Sequence, residues 1–352
     1  MIRVLHVVCD LSPGGAERLV LELCRRKAPD IETRVATVQG LGPLEPLFRE
    51  VGTALVEGGR VRRSLGVEAV RRLAAAMRDV DVVHTHLFAG DTWGRLAAIL
   101  AGVPVVVTTE HNVNHDETWQ VGVKRRLAGA SDAVVAVSDA VAAYARDVEG
   151  IPGLRVIENG IDLSRFGPHR GGDGRRVLAI GRRVPQKGFD VLVRALPPEL
   201  TLEIAGDGPW TTDHARTRLL GRREDVPDLL AAADILAVPS RWEGFGLAAA
   251  EGLAAGIAVV ASDVHGLSEV VGDAGLLVPP EDPAALRSAL RTLAARPALR
   301  RSLGERGRAR AAERFDLARM VARYEALYRE LVAGGGRSRA DRLRRVLAPA
   351  AV

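Results

Sequence analysis

The sequence predicts an α/β protein made of two domains, each a parallel sheet covered by helices. With 352 residues, the chain is long enough for two α/β domains of ordinary size rather than one. Short β-branched runs alternate with segments of helical spacing, the pattern of strand–helix units in a parallel sheet. The alternation stops at a stretch rich in glycine, proline and aspartate and then restarts. We therefore interpret residues 160–174 as an interdomain linker.

The first domain is predicted over residues 1–163. It begins with a buried strand at Arg3–Cys9, and a helix at Ala16–Arg26 follows. Further short apolar runs predict the strands Val82–His86, Val105–Thr109 and Ala133–Val137, with intervening helices at Val67–Arg78 and Trp93–Leu100.

The second domain is predicted over residues 175–315 and repeats this rhythm. A helix is expected at Phe189–Ala195, and the predicted strands are Val177–Ile180, Leu202–Ala205, Leu219–Leu220, Asp234–Val238 and Ala258–Ala261. After Pro283 the pattern stays helical to about Val332, with a break at Pro297. Residues 334–352 are expected to form a short, frayed basic tail.

Composition excludes several classes of protein. Two cysteines, Cys9 and Cys24, lack metal-type spacing, which favours reduced thiols in a cytoplasmic protein. The longest uncharged stretch, Leu96–Thr109, is too short to cross a bilayer. The net charge of +5 comes almost wholly from arginine, and aromatic residues are 4% of the chain. Because no basic groove is interleaved with aromatics, nucleic acid is not an expected partner.

The stretch Pro239–Asp263 carries the clearest chemical signal. It reads PSRWEGFGLAAAEGLAAGIAVVASD, with Glu243 before the turn Gly244-Phe245-Gly246 and Glu251 about two turns into a predicted helix. The loop would lie at the carboxyl edge of the sheet, where α/β proteins bind ligands. Helix N-terminal amides bind anions and ionised carboxylates accept hydrogen bonds from hydroxyls. The pattern suits a ligand with phosphates and sugar hydroxyls, although a plain turn with solvated glutamates has the same sequence.

The whole stretch resembles the donor-sugar motif of glycosyltransferase family 4. Members are retaining enzymes of the GT-B fold, with two Rossmann-like domains facing each other across a cleft. The resemblance implies that C-terminal helices, here 316–333, pack back toward the N-terminal domain. Ala258 stands where the family usually has proline and Gly252 where it has alanine, but neither departure touches the carboxylates.

By the same resemblance, other segments of the second half bind the donor. Arg182 and Lys187 in AIGRRVPQKG would grip the nucleotide diphosphate, and Arg183 would lie at the surface. Glu251 would hold the ribose hydroxyls, and Glu243 the donor sugar. The remaining donor-binding residues implied by the family motifs are Gly181, Gly206, Leu220, Arg222, Gly244, Phe245, Gly246 and Leu247. The connecting segment 210–218 is shorter than the family's usual helix.

The resemblance also implies an acceptor side in the first domain. Gly14 and Gly15 in the PGGAE turn would face the cleft near the diphosphate and the acceptor, and they are predicted to bind the donor as well. His111 would reach the transferred sugar, and the predicted catalytic residues are His111, Arg182, Lys187 and Glu243. His84 and His86 share a strand face and could, with His111, be zinc ligands. A cleft-facing His86 and a core or edge His84 fit better, because no companion carboxylate or thiolate pattern occurs.

No metal or other cofactor is expected. The D-x-D at Asp79–Asp81 joins a helix end to a strand, which favours capping or surface aspartates. A basic amphipathic segment at 119–126, containing Trp119 and Lys124-Arg125-Arg126, could rest on an anionic membrane, with Arg62-Arg63 and Arg71-Arg72 adding charge. A solvated helix face is the simpler alternative. The oligomeric state is left open.

The sequence thus predicts a retaining glycosyltransferase. The expected donor is a nucleotide-diphosphate sugar, with uridine preferred as the base. The acceptor would be a hydroxyl of a lipid-linked glycan, a polysaccharide or a small metabolite. A non-catalytic nucleotide- or sugar-binding protein and a nucleotide-sugar epimerase are the alternatives.

Overall fold

The computed structural model describes residues 1–58, 66–113 and 118–348. The chain divides into two compact units, which we call unit 1 (residues 1–157 and 318–352) and unit 2 (residues 158–317). Each unit is a Rossmann-like α/β domain with a parallel sheet, as the sequence predicts. Residues 318–333 belong to unit 1, so the C-terminal helix does return to the N-terminal domain.

Unit 1 contains a seven-stranded sheet in the order β3-β2-β1-β4-β5-β6-β7. Its strands are β1 (Ile2–Val8), β2 (Ile31–Thr37), β3 (Ala54–Glu57), β4 (Val82–His86), β5 (Val105–Glu110), β6 (Ala133–Ala136) and β7 (Arg155–Val156). Its first helices are α1 (Gly15–Arg25), α2 (Glu45–Glu50), α3 (Val67–Ala76), α4 (Leu87–Ala101), α5 (Thr118–Ala128) and α6 (Asp139–Asp147). Leu5, Val7, Val83 and Val106 are among the residues that form the core against α3 and α4.

Unit 2 contains a six-stranded sheet in the order β10-β9-β8-β11-β12-β13. Its strands are β8 (Arg176–Ile180), β9 (Thr201–Ala205), β10 (Thr217–Gly221), β11 (Ile235–Val238), β12 (Ala258–Ser262) and β13 (Gly275–Val278). Its helices are α7 (Phe189–Ala195), α8 (Val226–Ala232), α9 (Leu247–Ala255), α10 (His265–Val271), α11 (Pro283–Ala295) and α12 (Pro297–Arg314).

Proline and aspartate fix the helix boundaries that the sequence predicts after Pro283. The Asp282 carboxylate accepts hydrogen bonds from the amides of Ala284 and Ala285 at the start of α11. Pro297 opens α12, where its missing N–H and fixed φ suit the first helical position. Two further helices follow, α13 (Leu317–Ala333) and α14 (Arg339–Leu347). No helix in the described part of the chain is long and apolar enough to span a bilayer.

The expectation of a frayed tail is wrong for residues 339–347. These residues form α14, and the Arg342 side chain on it is fully buried. Its guanidinium donates to the carbonyl oxygen of Ala130 at 2.6 Å and to the carboxylate of Asp132 at 2.6 Å. A buried charge with these partners anchors the C-terminal segment to unit 1.

Candidate functional site

Most of the predicted donor residues meet at one edge of the unit 2 sheet. Gly181 and Arg182 follow β8, Gly206 follows β9, and Glu243 follows β11. Because all these strands are parallel, their carboxyl ends lie at the same edge. Strand β8 pairs with β9 on one side and β11 on the other, so the strand order reverses there. Such a switch point is where open α/β sheets bind ligands.

A partly buried ion pair lies at this edge. The Lys187 ammonium donates to Oε1 of Glu243, and the Ser240 hydroxyl donates to the same oxygen at 2.9 Å. Glu243 is only 7% exposed, so these two bonds hold its carboxylate in one orientation. The sequence assigned Lys187 and Glu243 to different parts of a ligand, and the structure brings them into contact. Lys187 still has other N–H donors for an anion.

The N-terminus of α9 lies next to this pair in the chain. Gly246 occupies the N-cap with φ +99°, and Leu247 is the first helical residue. A Cβ at Gly246 would lie 2.5 Å from Cδ2 of Leu267, so both φ and space require glycine there. Phe245 is buried, with its ring edge-on to Phe315 at 5.3 Å. What this turn can offer a ligand is therefore backbone amides.

Glu251 lies closer to the helix start than the sequence suggested. It is the fifth residue of α9, about one turn from the N-terminus rather than two. Its side chain is half-buried. Glu251 is the middle residue of this nine-residue helix, one turn after the amides at Gly246 and Leu247.

The two neighbouring arginines after β8 have different roles. Arg182 is exposed. Arg183, expected at the surface, is half-buried and donates to the carbonyl oxygens of Gly206 at 3.0 Å and Trp210 at 2.5 Å. The expectation for Arg183 is wrong because the shortened segment 210–218 folds back onto it. Arg183 ties this loop to the ends of β8 and β9 and leaves Arg182 as the cation that faces solvent.

Segment 210–218 contains no helix and leads directly into β10. The residues predicted to read a base come from that strand. Leu220 is half-buried within β10, and Arg222 follows it. The Arg222 amide donates to the Asp207 carboxylate at 2.9 Å, so the loop after β9 fixes the end of β10.

In unit 1 the predicted acceptor residues also lie at the carboxyl edge of the sheet. Gly14 is the N-cap of α1, and Gly15 is its first residue. A Cβ on Gly14 would lie 2.2 Å from the Glu17 carboxylate, which folds back over the turn. His111 follows β5, and His86 is the last residue of β4. As predicted, His84 and His86 share a strand face, with ring centroids 4.0 Å apart.

Histidines at this edge form a hydrogen-bonded chain. The sequence patterns pointed to His86 and His111 but not to His6. Nε2 of His111 lies 3.1 Å from Nδ1 of His86, and Nε2 of His86 lies 3.1 Å from Nδ1 of His6. Burial lowers the pKa of His6 to about 3 and that of His111 to about 4, and it lowers the pKa of His86 well below its usual value. All of these rings are therefore neutral at pH 7.

His84 is a core residue. Its Nδ1 lies 2.6 Å from the hydroxyl of Tyr328 on α13, and its Nε2 lies 2.7 Å from the Thr109 hydroxyl. Within the described residues, the group with metal-compatible spacing is His6, His84 and His86, whose ligand atoms lie within 4.8 Å. This differs from the trio weighed from sequence, which included His111. Both nitrogens of His84 and His86 already have hydrogen-bond partners, so these rings fit a hydrogen-bonded network better than metal ligation.

A cluster of buried charges supports the strand end that carries His111. Glu110 lies 2.9 Å from the Lys124 ammonium, which also contacts Glu149 at 2.6 Å. Burial by itself opposes ionisation of Glu110, but the cations of Lys124 and Arg95 outweigh it and lower the pKa of Glu110. The prediction that Lys124 is part of a basic surface is therefore wrong. Its partners come from β5 and from the end of α6, contacts that sequence spacing does not reveal.

The other charged motifs have surface partners. Asp81 accepts from the Arg3 amide at 2.8 Å, and Asp79 pairs with Arg34 at 3.1 Å. Both aspartates precede β4, at the strand end opposite His86. Arg72 pairs with Glu68 along α3 at 2.9 Å. Arg62-Arg63 lies outside the described residues.

Comparisons with known proteins identify the family of the chain. Residues 13–165 match the model described as Glycosyltransferase Family 4, and residues 174–296 match the model described as Glycosyl transferases group 1. D-inositol 3-phosphate glycosyltransferase of Salinispora arenicola is 30% identical, over 94% of this chain and 90% of that protein. Phosphatidyl-myo-inositol mannosyltransferase of Mycobacterium tuberculosis is also 30% identical, over 94% of this chain and 97% of that protein.

A solved structure, Anabaena HepE in complex with UDP and glucose, has the same fold. It superposes with a TM-score of 0.82 at 22% identity and covers 93% of this chain and 99% of HepE. The family matches span the strand ends described above in both units. On this evidence the chain belongs to the family 4 (group 1) glycosyltransferases and is an enzyme that transfers glycosyl groups.

Proposed function

We propose that this glycosyltransferase takes its sugar from a nucleotide-diphosphate sugar, with retention of configuration and without a metal ion. The observation that carries the proposal is the Lys187–Glu243 pair, in which Glu243 lies three residues before the N-cap of α9. The contact brings a cation from the loop after β8 against a carboxylate that adjoins helix N-terminal amides, although the two residues are 56 positions apart. Those groups suit a ligand in which a diphosphate adjoins a sugar.

The diphosphate is assigned to Lys187, Arg182 and the start of α9. Charge accumulates on the leaving diphosphate as the glycosidic bond breaks, and preoriented cations and amides stabilise it without further reorganisation. Arg182 is exposed and Arg183 holds the loop beside it, so Arg182 is placed to close on an incoming phosphate. This set of donors is our reason for proposing transfer without a metal.

The hydroxyl groups of the donor are assigned to the two glutamates. Glu243, held by Ser240 and Lys187, would accept from the transferred sugar, and Glu251 from the ribose. Leu220 and Arg222 would contact the base, with Gly181 and Gly206 allowing close approach of the backbone. Uridine is the first choice of base, because HepE, a protein of the same fold, was solved with UDP and UDP-glucose.

In the proposed reaction, the bond from the anomeric carbon to the diphosphate oxygen breaks. The acceptor oxygen forms its new bond on the same face of the sugar and gives its proton to the leaving diphosphate. His111 is assigned to binding on the acceptor side, together with Gly14 and Gly15. Burial lowers the pKa of His111 to about 4, which makes it a weak base near neutral pH. That weakness supports the leaving phosphate as proton acceptor.

The acceptor is proposed to be a polyol hydroxyl of the inositol type, free or lipid-linked. Two relatives that match nearly the whole chain are named for inositol phosphate and phosphatidylinositol acceptors. Trp119, 57% exposed on α5, lies near the exposed Arg125 and Arg126 on the same helix. This surface would suit an anionic membrane, and flotation with anionic and neutral vesicles distinguishes the lipid-linked case from the free one.

A ligand-binding assay tests the donor assignment. Thermal shift against a panel of nucleotides and nucleotide sugars should show stabilisation by one nucleoside diphosphate, unchanged when EDTA replaces magnesium. Lys187→Ala and Glu251→Ala should abolish the shift. Arg175→Ala is the matched control, because Arg175 is an exposed arginine before β8, at the strand end opposite Arg182. Equal loss in the control, or no response from any nucleotide, would refute the donor site.

A further inference from the structure

The histidine chain of unit 1 has a direction that its geometry fixes. His6 lies in β1, His86 ends β4 and His111 follows β5, so three neighbouring strands each supply one ring. Each ring-to-ring contact is 3.1 Å long and uses Nδ1 of one ring and Nε2 of the next. Since the rings are neutral at pH 7, each carries one N–H and one bare nitrogen.

Each contact needs one N–H, and the middle ring has only one to give. The protons can therefore be arranged in just two ways. In the first, His6 donates from Nδ1 to His86, and His86 donates from Nδ1 to His111. In the second, His111 donates from Nε2 to His86, and His86 donates from Nε2 to His6.

The end of the chain at His6 distinguishes these arrangements. Nε2 of His6 is buried and has no hydrogen-bond partner among the described residues. In the first arrangement this atom is a bare nitrogen, and in the second it is an N–H group. Orphaned buried N–H groups are rare in proteins, so the first arrangement, which leaves no unpaired N–H there, is favoured. Proton donation then runs from His6 toward His111.

We infer that His6 and His86 are positioning residues that fix His111 as the tautomer protonated on Nδ1. Its Nε2 is used by His86, so His111 can offer a ligand only an N–H donor. A group of this kind recognises an oxygen acceptor, such as a sugar hydroxyl, and does not abstract a proton. The inference rests on the proposed role of His111 at the acceptor side.

The tautomers can be measured without any assay of transfer. Nitrogen-15 imidazole correlation spectra of the full chain at pH 7 distinguish protonated from bare ring nitrogens. We expect Nδ1 to be protonated and Nε2 bare in His6, His86 and His111. Protonation of His111 on Nε2 would overturn the inference. So would a purified protein in which His6 and His86 bind stoichiometric zinc, because ligation would replace the hydrogen-bonded chain.

Substitution of His6 tests the positioning role. His6→Leu removes the first donor, whereas His6→Asn keeps an N–H group near the position of Nδ1. In His6→Leu we expect mixed tautomers at His111 and a fall in kcat on the order of a hundredfold, as for misplaced catalytic groups. The KM for the donor should stay unchanged, and His6→Asn should restore both the tautomer and much of kcat.

A histidine of unit 2 provides the control. His214 bonds Thr217 before β10, at the strand end away from the donor residues, and His214→Leu should leave the tautomer of His111 unchanged. If His6→Leu keeps full kcat with an altered tautomer, the positioning role is refuted. If His111→Ala keeps full kcat while the spectra show the expected tautomers, the proposed function of His111 fails instead.

Discussion

The two units present the same sheet edge with opposite physical character. In unit 2 the edge carries glycines, helix amides, the exposed Arg182 and the Lys187–Glu243 pair, contributed by the loops that follow β8, β9 and β11. In unit 1 the edge is underlain by polar groups that are buried, apart from the half-buried His111. These are the histidine chain and the cluster of Asp91, Arg95, Glu110, Lys124 and Glu149, drawn from separate elements.

The difference indicates how each unit is built for its task. A diphosphate site such as the one proposed for unit 2 can be made from backbone amides and a few cations on neighbouring loops. Unit 1 instead holds one exposed strand end rigid through buried networks, and such networks are stable only when most members are satisfied. Unit 1 should therefore be the more sensitive of the two to pH and to single substitutions.

The largest expected effect is selective loss of unit 1 stability in acid. His6, His84, His86 and His111 all have pKa values lowered by burial, so below pH 6.5 the unfolded chain binds protons that the native state rejects. As the pH falls below 6.5, each ring lowers the free energy of unfolding by about 1.4 kcal/mol per pH unit until the pKa of that ring in the folded protein is reached. Asp91 acts oppositely, because burial raises its pKa to about 7 and its protonated form is the native one. Because four histidines oppose this one aspartate, the net result is a loss of stability in acid.

Native-state hydrogen exchange between pH 6.5 and 5 measures this difference. Protection of amides in β1 and β4 should fall faster than protection in β8 and β11, which belong to unit 2. The described residues of unit 2 include His169, His214 and His265, none of which is fully buried, so unit 2 serves as the internal control. Parallel loss in both units would contradict the comparison.

The next largest effect is expected from Lys124→Met. This change removes the ammonium that joins Glu110 to Glu149, although Arg95 stays 3.8 Å from Glu110, and breaking a buried pair in this way costs roughly 3–5 kcal/mol. Denaturant unfolding of the full chain gives the change in free energy for the transition that reports unit 1. Arg146→Ala removes a 60% exposed cation that pairs with Asp147 on α6 and should change stability by less than about 0.5 kcal/mol. Equal losses of unfolding free energy in the two variants would show that the buried cluster stabilises the protein no more than an exposed ion pair does.

Activity should respond most to Lys187→Ala. Loss of one preoriented group facing developing charge lowers kcat by about 10²–10³-fold. Steady-state transfer kinetics with the donor found by thermal shift provide the measurement, and Arg175→Ala is again the control. Lys187 also holds Glu243. When Lys187→Ala and Glu243→Gln are combined, the loss of kcat should therefore be smaller than the product of the two single losses. Fully additive effects would mean that the two residues act separately.

The smallest expected effect is that of Gly246→Ala. A left-handed φ costs a non-glycine residue about 1–3 kcal/mol, and the new Cβ would also contact Leu267. The turn should shift, so that donor KM rises more than kcat falls. Gly171→Ala is the matched control, because Gly171 has φ +71° with no atom within 4 Å of its Cβ position. A donor KM that changes equally in the two variants would argue against the amides of this turn as the anion site.

Local sequence by itself determined the fold class, the strand–helix rhythm and the donor loop. Strands β4, β8, β11 and β12 and helix α7 lie where apolar runs place them, since burial on both faces leaves a clear signal in parallel sheets. The residues Lys187, Glu243 and Glu251 were found because they lie within short motifs that also set the local turn. The exposed Arg182 and the half-buried Arg183 look alike in sequence, and only the folded loop distinguishes them.

Tertiary structure decided whatever depends on strand pairing. His6 reaches His86 because β1 lies beside β4, although the two residues are 80 positions apart. Lys124 reads as a surface cation until Glu110 and Glu149 are brought against it, and Arg342 reads as a tail charge until α14 packs on unit 1. The local sequence around a charged or imidazole side chain does not indicate whether that side chain is buried or exposed. The roles of such side chains follow from which partners exclude water around them, and only the completed fold supplies those partners.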